Sequence, residues 1–201
     1  MGLMHILSQI WFRLLGRFFQ LLYHQLAFLY DWVANIVSNG KWNYWIYESI
    51  NFVEEQPILE LGFGPGHLQK RLVEKGMSVF GLDESRYMNR FAMKRLRHSA
   101  QAGFKIGLCR GLAQNLPFKN ESFSTIVATF PTPYILENET IRECWRVLRP
   151  HGRVVILLGV RHGGNSPYQQ FLRWLFGVTH QSIEDSRAWE IWKSQYTSSG
   201  F

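Results

Sequence analysis

The chain has 201 residues, 46% of them apolar and 18% charged, which describes a folded globular protein of one domain plus an appendage and excludes a disordered one. Its two cysteines, Cys109 and Cys144, stand far apart; they read as neither a disulfide framework nor a zinc knuckle, and a reducing cytoplasm is the expected setting. The formal charge of +7 is concentrated between Arg86 and Asn120, where eight basic residues occur without one Asp or Glu. No nucleic-acid-binding motif accompanies this charge, so no nucleic-acid partner is expected. What stays open is a solvated helix face, with Arg86, Arg90, Lys94 and Arg97 on one stripe, or attraction to an anionic lipid or acidic substrate.

In chain order, Leu3 to Leu26 comes first. Polar residues recur at His5, Gln9, Arg13, Arg17, Gln20 and His24, a narrow stripe that leaves a wide apolar helix face. Arg13 and Arg17 interrupt the apolar run short of the roughly 18 residues of a membrane span. No basic residue precedes the stretch and no small-residue cleavage site follows, which argues against a signal peptide. Ile6 stands where a myristoylation motif needs Ser or Thr. Residues 3–26 therefore form either a lid or a helix lying in a membrane interface, which would make the protein peripheral at a membrane. Asp31 to Glu55 reads as one or two further helices broken near Asn39-Gly40, and Pro57 precedes the first strand.

From Pro57 strands alternate with helices. The expected strands are Ile58–Leu61, Ser78–Leu82, Lys105–Cys109, Thr125–Thr129 and Val154–Leu158. The expected helices are His67–Glu74, Glu84–Arg97 and about Asn138 to Leu148, with a turn over Arg149 to Gly152. This alternation predicts a Rossmann-like, doubly wound α/β fold with a mainly parallel sheet and a ligand site outside the strands' carboxyl ends. The expected organisation is a helical extension over 1–56, a core over 57–160 and a helical tail over 161–201. Gly62–Gly66, Asp83, Gly111–Ala113 and Phe130–Tyr134 all fall at strand ends.

The stretch ILELGFGPGHL, residues 58 to 68, brings backbone close to something just past a strand. A dinucleotide fingerprint would place Gly or Ala where His67 stands, so a dehydrogenase is disfavoured. The spacing suits a nucleoside better, and Asp83, twenty-one residues after Gly62, can accept hydrogen bonds from two ribose hydroxyls. The plain alternatives are a tight turn for the glycines and a helix N-cap for Asp83.

Taken together these stretches resemble the class I S-adenosylmethionine-dependent methyltransferases, in particular the small-molecule and quinone-type group, over residues 27 to 160. ILELGFGPGHL resembles the first family motif, VFGLDES the second, GLAQNLPF the third, ESFSTIVATFP the fourth-strand motif and IRECWRVLRPHGRVVIL the helix–turn–strand signature. The resemblance implies S-adenosyl-L-methionine as cofactor, no metal, and a small, apolar methyl acceptor. It places Glu60, Gly62, Gly64 and Gly66 on the methionine and ribose portion, Asp83 on the ribose, and Leu112 and Ala113 at the adenine edge. Phe130 and Phe118 are expected to wall the pocket, and Tyr30 (in AFLYD) and Tyr134 to contact substrate. No catalytic residue is assigned; Asp31 and His162 are the other groups considered, and His67 is expected to pack or cap.

The departures are Leu112 for an acid beside the adenine, Ser124 for Asp, and His151 for a turn glycine. The family sheet also ends with a strand hairpin, whereas this chain stops at Ser199-Gly200-Phe201. The expectation is thus five parallel strands with the last two family strands missing and an open edge suited to a homodimer or partner. A truncated relative with a binding or scaffold role is the alternative to an active enzyme.

Overall fold

The computed structural model describes residues 31–32, 34–36, 38–101, 103, 106–159, 194 and 196–197. Five strands form one sheet: β1 Ile58–Leu61, β2 Val79–Asp83, β3 Ile106–Arg110, β4 Phe123–Thr129 and β5 Leu148–Leu157. Their order is β3-β2-β1-β4-β5 and every pairing is parallel. Between β1 and β4 the winding reverses, which opens a crevice at the carboxyl ends of those strands. The helices are α1 Trp42–Glu48, α2 His67–Glu74, α3 Arg86–Gln101 and α4 Asn138–Val147, with 3-10 turns at Ser49–Phe52 and Pro133–Leu136.

All four residues of β1 are buried, as a central strand requires. Because alternate side chains face opposite ways, the strand feeds two apolar layers. Ile58 joins Val79 and Val127 with Leu68, Leu72 and Leu96 of α2 and α3, and with Trp45 and Ile46 of α1. Leu59 and Leu61 join Leu82, Ile126 and Ala128 with Cys144 and Val147 of α4. Glu60 shares its face with Ile58 and therefore looks toward α2, as does Asp83, two positions beyond Gly81. The helical segment over 31–36 turns at Asn39 and Gly40, both with positive φ, before α1 begins.

The helix after β2 starts at Arg86 rather than Glu84. Asp83 Oδ1 accepts the Ser85 N–H at 2.8 Å and Ser85 Oγ accepts the Met88 N–H at 3.3 Å, so Ser85 closes the first turn as an N-cap. The last strand also differs from expectation. Leu148 is already extended and paired with Phe123, and pairing resumes at Thr125–Arg153, so Arg149 to Gly152 bulge out of the ladder. His151 takes φ 64° in that bulge, the left-handed conformation that glycine favours. Val154 to Leu157 are half-buried, not covered on both faces as their apolar run suggests. Among the described residues β5 pairs with β4 alone. The amphipathic stretch over 3–26 and most of the tail lie outside the described residues, and so does the part of the chain on which the expected absence of the last two family strands bears.

Candidate functional site

The loop after β1 carries three glycines with positive φ: 69° at Gly62, 53° at Gly64 and 82° at Gly66. Each is glycine for a different reason. A Cβ on Gly66 would sit 2.9 Å from the Cβ of Ala92, so the loop packs flush on α3. A Cβ on Gly62 would sit 2.8 Å from the Tyr134 hydroxyl. A Cβ on Gly64 would meet nothing within 4 Å, although the residue is buried, so the backbone borders space there that a ligand can use. The loop is tied to β2 from both sides: Gly62 N donates to Leu82 O at 2.7 Å, and Gly64 N donates to Asp83 Oδ2 at 2.9 Å. With Ser85 N on its other oxygen, the buried Asp83 carboxylate is fixed in orientation at the crevice.

Two buried polar atoms near this loop have no partner among the described residues: Glu60 Oε2, one residue before Leu61 and the loop, and the Tyr134 hydroxyl, against Gly62. Burial pushes the Glu60 carboxyl up to about 8; the Gln69 side chain opposes this and the Asp83 charge adds to it. Burial, and then the charges of Asp83, Cys144 and Glu60, push the Tyr134 phenol far above its usual range, so Tyr134 acts as a donor and not as a base. Buried polar groups left unpaired cost about 1 to 3 kcal/mol each, so these two atoms call for a compensating partner.

The β4 exit forms the next wall. Phe130 takes φ 48°, uncommon for a bulky residue and costing about 1 to 3 kcal/mol. The Leu157 carbonyl holds it by accepting its N–H at 2.7 Å, and Trp42 stacks on its ring at 4.5 Å between centroids. Pro133 to Leu136 then turn Tyr134 back toward Gly62, and the Tyr196 hydroxyl donates to Ile135 O at 2.8 Å. Asp31, considered from the sequence as a base, is engaged at both oxygens. Its Oδ1 lies 2.8 Å from His67 Nε2, and its Oδ2 accepts from the Arg95 guanidinium. Burial alone would raise its pKa, but the His67 contact and then Arg95 outweigh that and hold it below the usual carboxylate range. His67, expected to pack or cap, is the partner of that carboxylate.

At the expected adenine edge Ala113 is buried and Leu112 is 54% exposed. This stretch is held by α4, which sequence reasoning missed. Glu143 Oε2 accepts the Leu116 N–H at 2.7 Å, and Arg146 donates to the carbonyls of Leu116 and Phe118 at 2.9 and 2.7 Å. Phe118 does not wall the pocket. It packs edge-on against Phe123, with ring centroids 4.9 Å apart, and against Phe80, toward the amino ends of β4 and β2. Tyr30 and His162 lie outside the described residues. Among the described residues no cluster of three His, Cys, Asp or Glu side chains could hold a metal.

A parallel sheet in this strand order, with a glycine loop after its first strand and a buried acid closing its second, is a Rossmann-like α/β arrangement of the kind seen in methyltransferases. Residues 58–152, just under half of the chain, match the family described as methyltransferase domain. Demethylmenaquinone methyltransferase of Thermotoga maritima is 34% identical over 142 residues, covering 68% of this chain and 59% of that protein. A ubiquinone/menaquinone biosynthesis C-methyltransferase of Geotalea daltonii is 26% identical over 149 residues, covering 71% of this chain and 63% of that one. The chain thus spans about three-fifths of the length of these relatives. Among solved structures, a candidate S-adenosyl-L-methionine-dependent methyltransferase of Methanococcus maripaludis superposes with a TM-score of 0.65 at 20% identity, covering 87% of this chain and 83% of that one, which shows a shared fold.

Proposed function

We propose that the chain is an S-adenosyl-L-methionine-dependent methyltransferase acting on a small, apolar acceptor, with the quinone-directed names of the T. maritima and G. daltonii relatives favouring a quinol-like ring. The observation that carries the reading is the Gly62–Gly66 loop tied to the fixed Asp83 carboxylate, with a buried unpaired oxygen on Glu60 just before the loop and the unpaired Tyr134 hydroxyl against Gly62. A carboxylate has about four acceptor sites, so Asp83 can receive the ribose hydroxyls as well as its backbone donors. Glu60 suits the ammonium of the methionine portion, the Gly64 backbone permits its close approach, and Leu112 and Ala113 border the base. When bound, the cofactor supplies a methyl on a sulfonium, transferred by in-line displacement, so alignment of nucleophile and methyl provides much of the rate. The chain's own contribution is to position and exclude water. Trp42 and Phe130 form a flat aromatic wall, and the unpaired Tyr134 hydroxyl offers a donor beneath the loop.

Calorimetry with S-adenosylhomocysteine tests this reading. The wild type should bind, and Asp83→Ala should weaken binding by about 2 kcal/mol or more, because two ribose hydroxyls and the Gly64 N–H lose their acceptor. Equal affinity in the variant would remove the nucleoside assignment. Binding without methyl transfer to any quinol acceptor would instead favour the relative with a binding role.

A further inference from the structure

The network around Asp31 joins three parts of the chain that sequence keeps well apart. Asp31 sits in the helical segment over 31–36. His67 is the first residue of α2, directly after the glycine loop, and Arg95 lies on α3. The Arg95 guanidinium is shared: one nitrogen donates to Asp31 Oδ2 and the other to the Pro65 carbonyl inside the loop. One turn earlier on the same helix, Ala92 receives Gly66. The loop is therefore seated on α3 at two neighbouring points, and one of them is completed by Asp31.

Among the described residues, the segment that carries Asp31 has little else to hold it. Trp32 and Ile36 are 65% and 55% exposed, and Ala34 is buried. The hydrogen bonds of Ser38, Asn39 and Gly40 stay within 34–42. Where few described contacts hold a segment, its ion pairs weigh more in keeping it docked. Asp31 itself is 40% exposed on its side chain, so its contacts can form and break without opening the core.

We propose that Asp31 is a positioning residue that couples the segment over 31–36 to the glycine loop, so that filling the nucleoside site and docking this segment become one linked event. The inference rests on the reading of the site given above. Linkage makes the coupling reciprocal: if docking orders the loop for a ligand, the ligand must stabilise docking by the same factor.

The full chain is studied by hydrogen exchange with and without S-adenosylhomocysteine, and by calorimetry on Asp31→Ala, Arg95→Lys and the control Arg153→Ala. In the wild type, the ligand should slow exchange in peptides covering 31–40 as well as 62–67. Asp31→Ala should bind on the order of tenfold more weakly, within the usual range for coupled sites, and should confine ligand protection to 62–67. Arg95→Lys should behave similarly, because an ammonium cannot span Asp31 and the Pro65 carbonyl as the planar fork does. Arg153→Ala, which loses only contacts to Phe52 and Glu54, should match the wild type. If the wild type does not bind, the functional reading has failed. If it binds and Asp31→Ala stays within twofold, the coupling is wrong. Weaker binding without ligand protection of 31–40 in the wild type would reduce Asp31 to a fold contact and overturn the proposal. Should Asp31→Ala fail to fold, Arg95→Lys and the wild-type exchange pattern decide between the same outcomes.

Discussion

Glu60 holds a carboxyl at the centre of the sheet, where water cannot solvate its charge. Its pKa is raised to about 8 by burial, so the folded state keeps a proton that the unfolded chain releases near the ordinary value of 4.5. This contribution to stability is fully present below the ordinary carboxylate range and is lost as pH rises toward about 8, at up to about 1.4 kcal/mol per pH unit. Glu60→Gln keeps the shape and removes the proton, so denaturant titrations of the variant should show a flatter pH dependence. A bound ligand with an ammonium beside Glu60 reverses the preference and expels the proton. At neutral pH, S-adenosylhomocysteine binding should thus show an enthalpy that varies with the ionisation enthalpy of the buffer, and Glu60→Gln should abolish that variation. Buffer-independent heats in the wild type would sink the assignment of Glu60 to the ligand's cationic end. Sequence put Glu60, Asp83 and the glycines at neighbouring strand ends, because strand ends and spacing are local signals. It could not show that burial raises the Glu60 pKa, since the elements that cover this carboxyl come from distant parts of the chain.

Helix α4 and the loop before β4 form a unit through one arginine. Arg146 grips Glu143 with Nε and Nη2, and reaches the Leu116 and Phe118 carbonyls and Asn120. The Arg146 hydrogen bond holds Glu143 below its usual range against the opposing effect of burial, and the Leu116 N–H adds to it. Arg146→Ala strands two carbonyls and a carboxylate that are only partly exposed. Urea unfolding should register a loss of about 2 kcal/mol, with exchange in 112–120 rising before global unfolding. Arg146→Lys should recover a minor part, because a compact ammonium with three donors cannot span the four groups that the planar fork reaches. A loss under about 0.5 kcal/mol would show that the loop is held by its apolar contacts instead. None of this was legible in the sequence. The helix was expected, but Arg146 was given no role, its carbonyl partners lying 28 and 30 residues away. Phe118 was misplaced for a related reason. An aromatic beside a family motif suggests a pocket wall, yet β4 begins at Phe123, two residues earlier than its apolar pattern implied, and the two rings pack together.

At the scale of the molecule the charge is as asymmetric in space as in sequence. Arg86, Arg90, Lys94 and Arg97 are all exposed on α3, while Arg95 turns inward to the glycine loop, so one helix both seats the site and presents a basic stripe. No helix among the described residues is long and apolar enough to cross a membrane. A basic stripe adds about 1 kcal/mol of attraction per residue close to an anionic bilayer, and salt screens it beyond about 8 to 10 Å. That attraction alone is weak and reversible. An amphipathic helix adds buried apolar area, and the pattern of residues 3–26 offers a wide face of Leu, Ile, Trp and Phe. An apolar acceptor dissolved in a bilayer would be reached from such a position without leaving the lipid. The full chain should therefore sediment with vesicles containing phosphatidylserine, and a chain beginning at Ala27 should remain in the supernatant. Raising salt, or changing the four stripe residues to Gln, should weaken sedimentation without abolishing it, since the apolar face is insensitive to screening. If the full chain and the shortened one stay equally in solution, residues 3–26 cover protein instead of lipid, and the acceptor must reach the site through water.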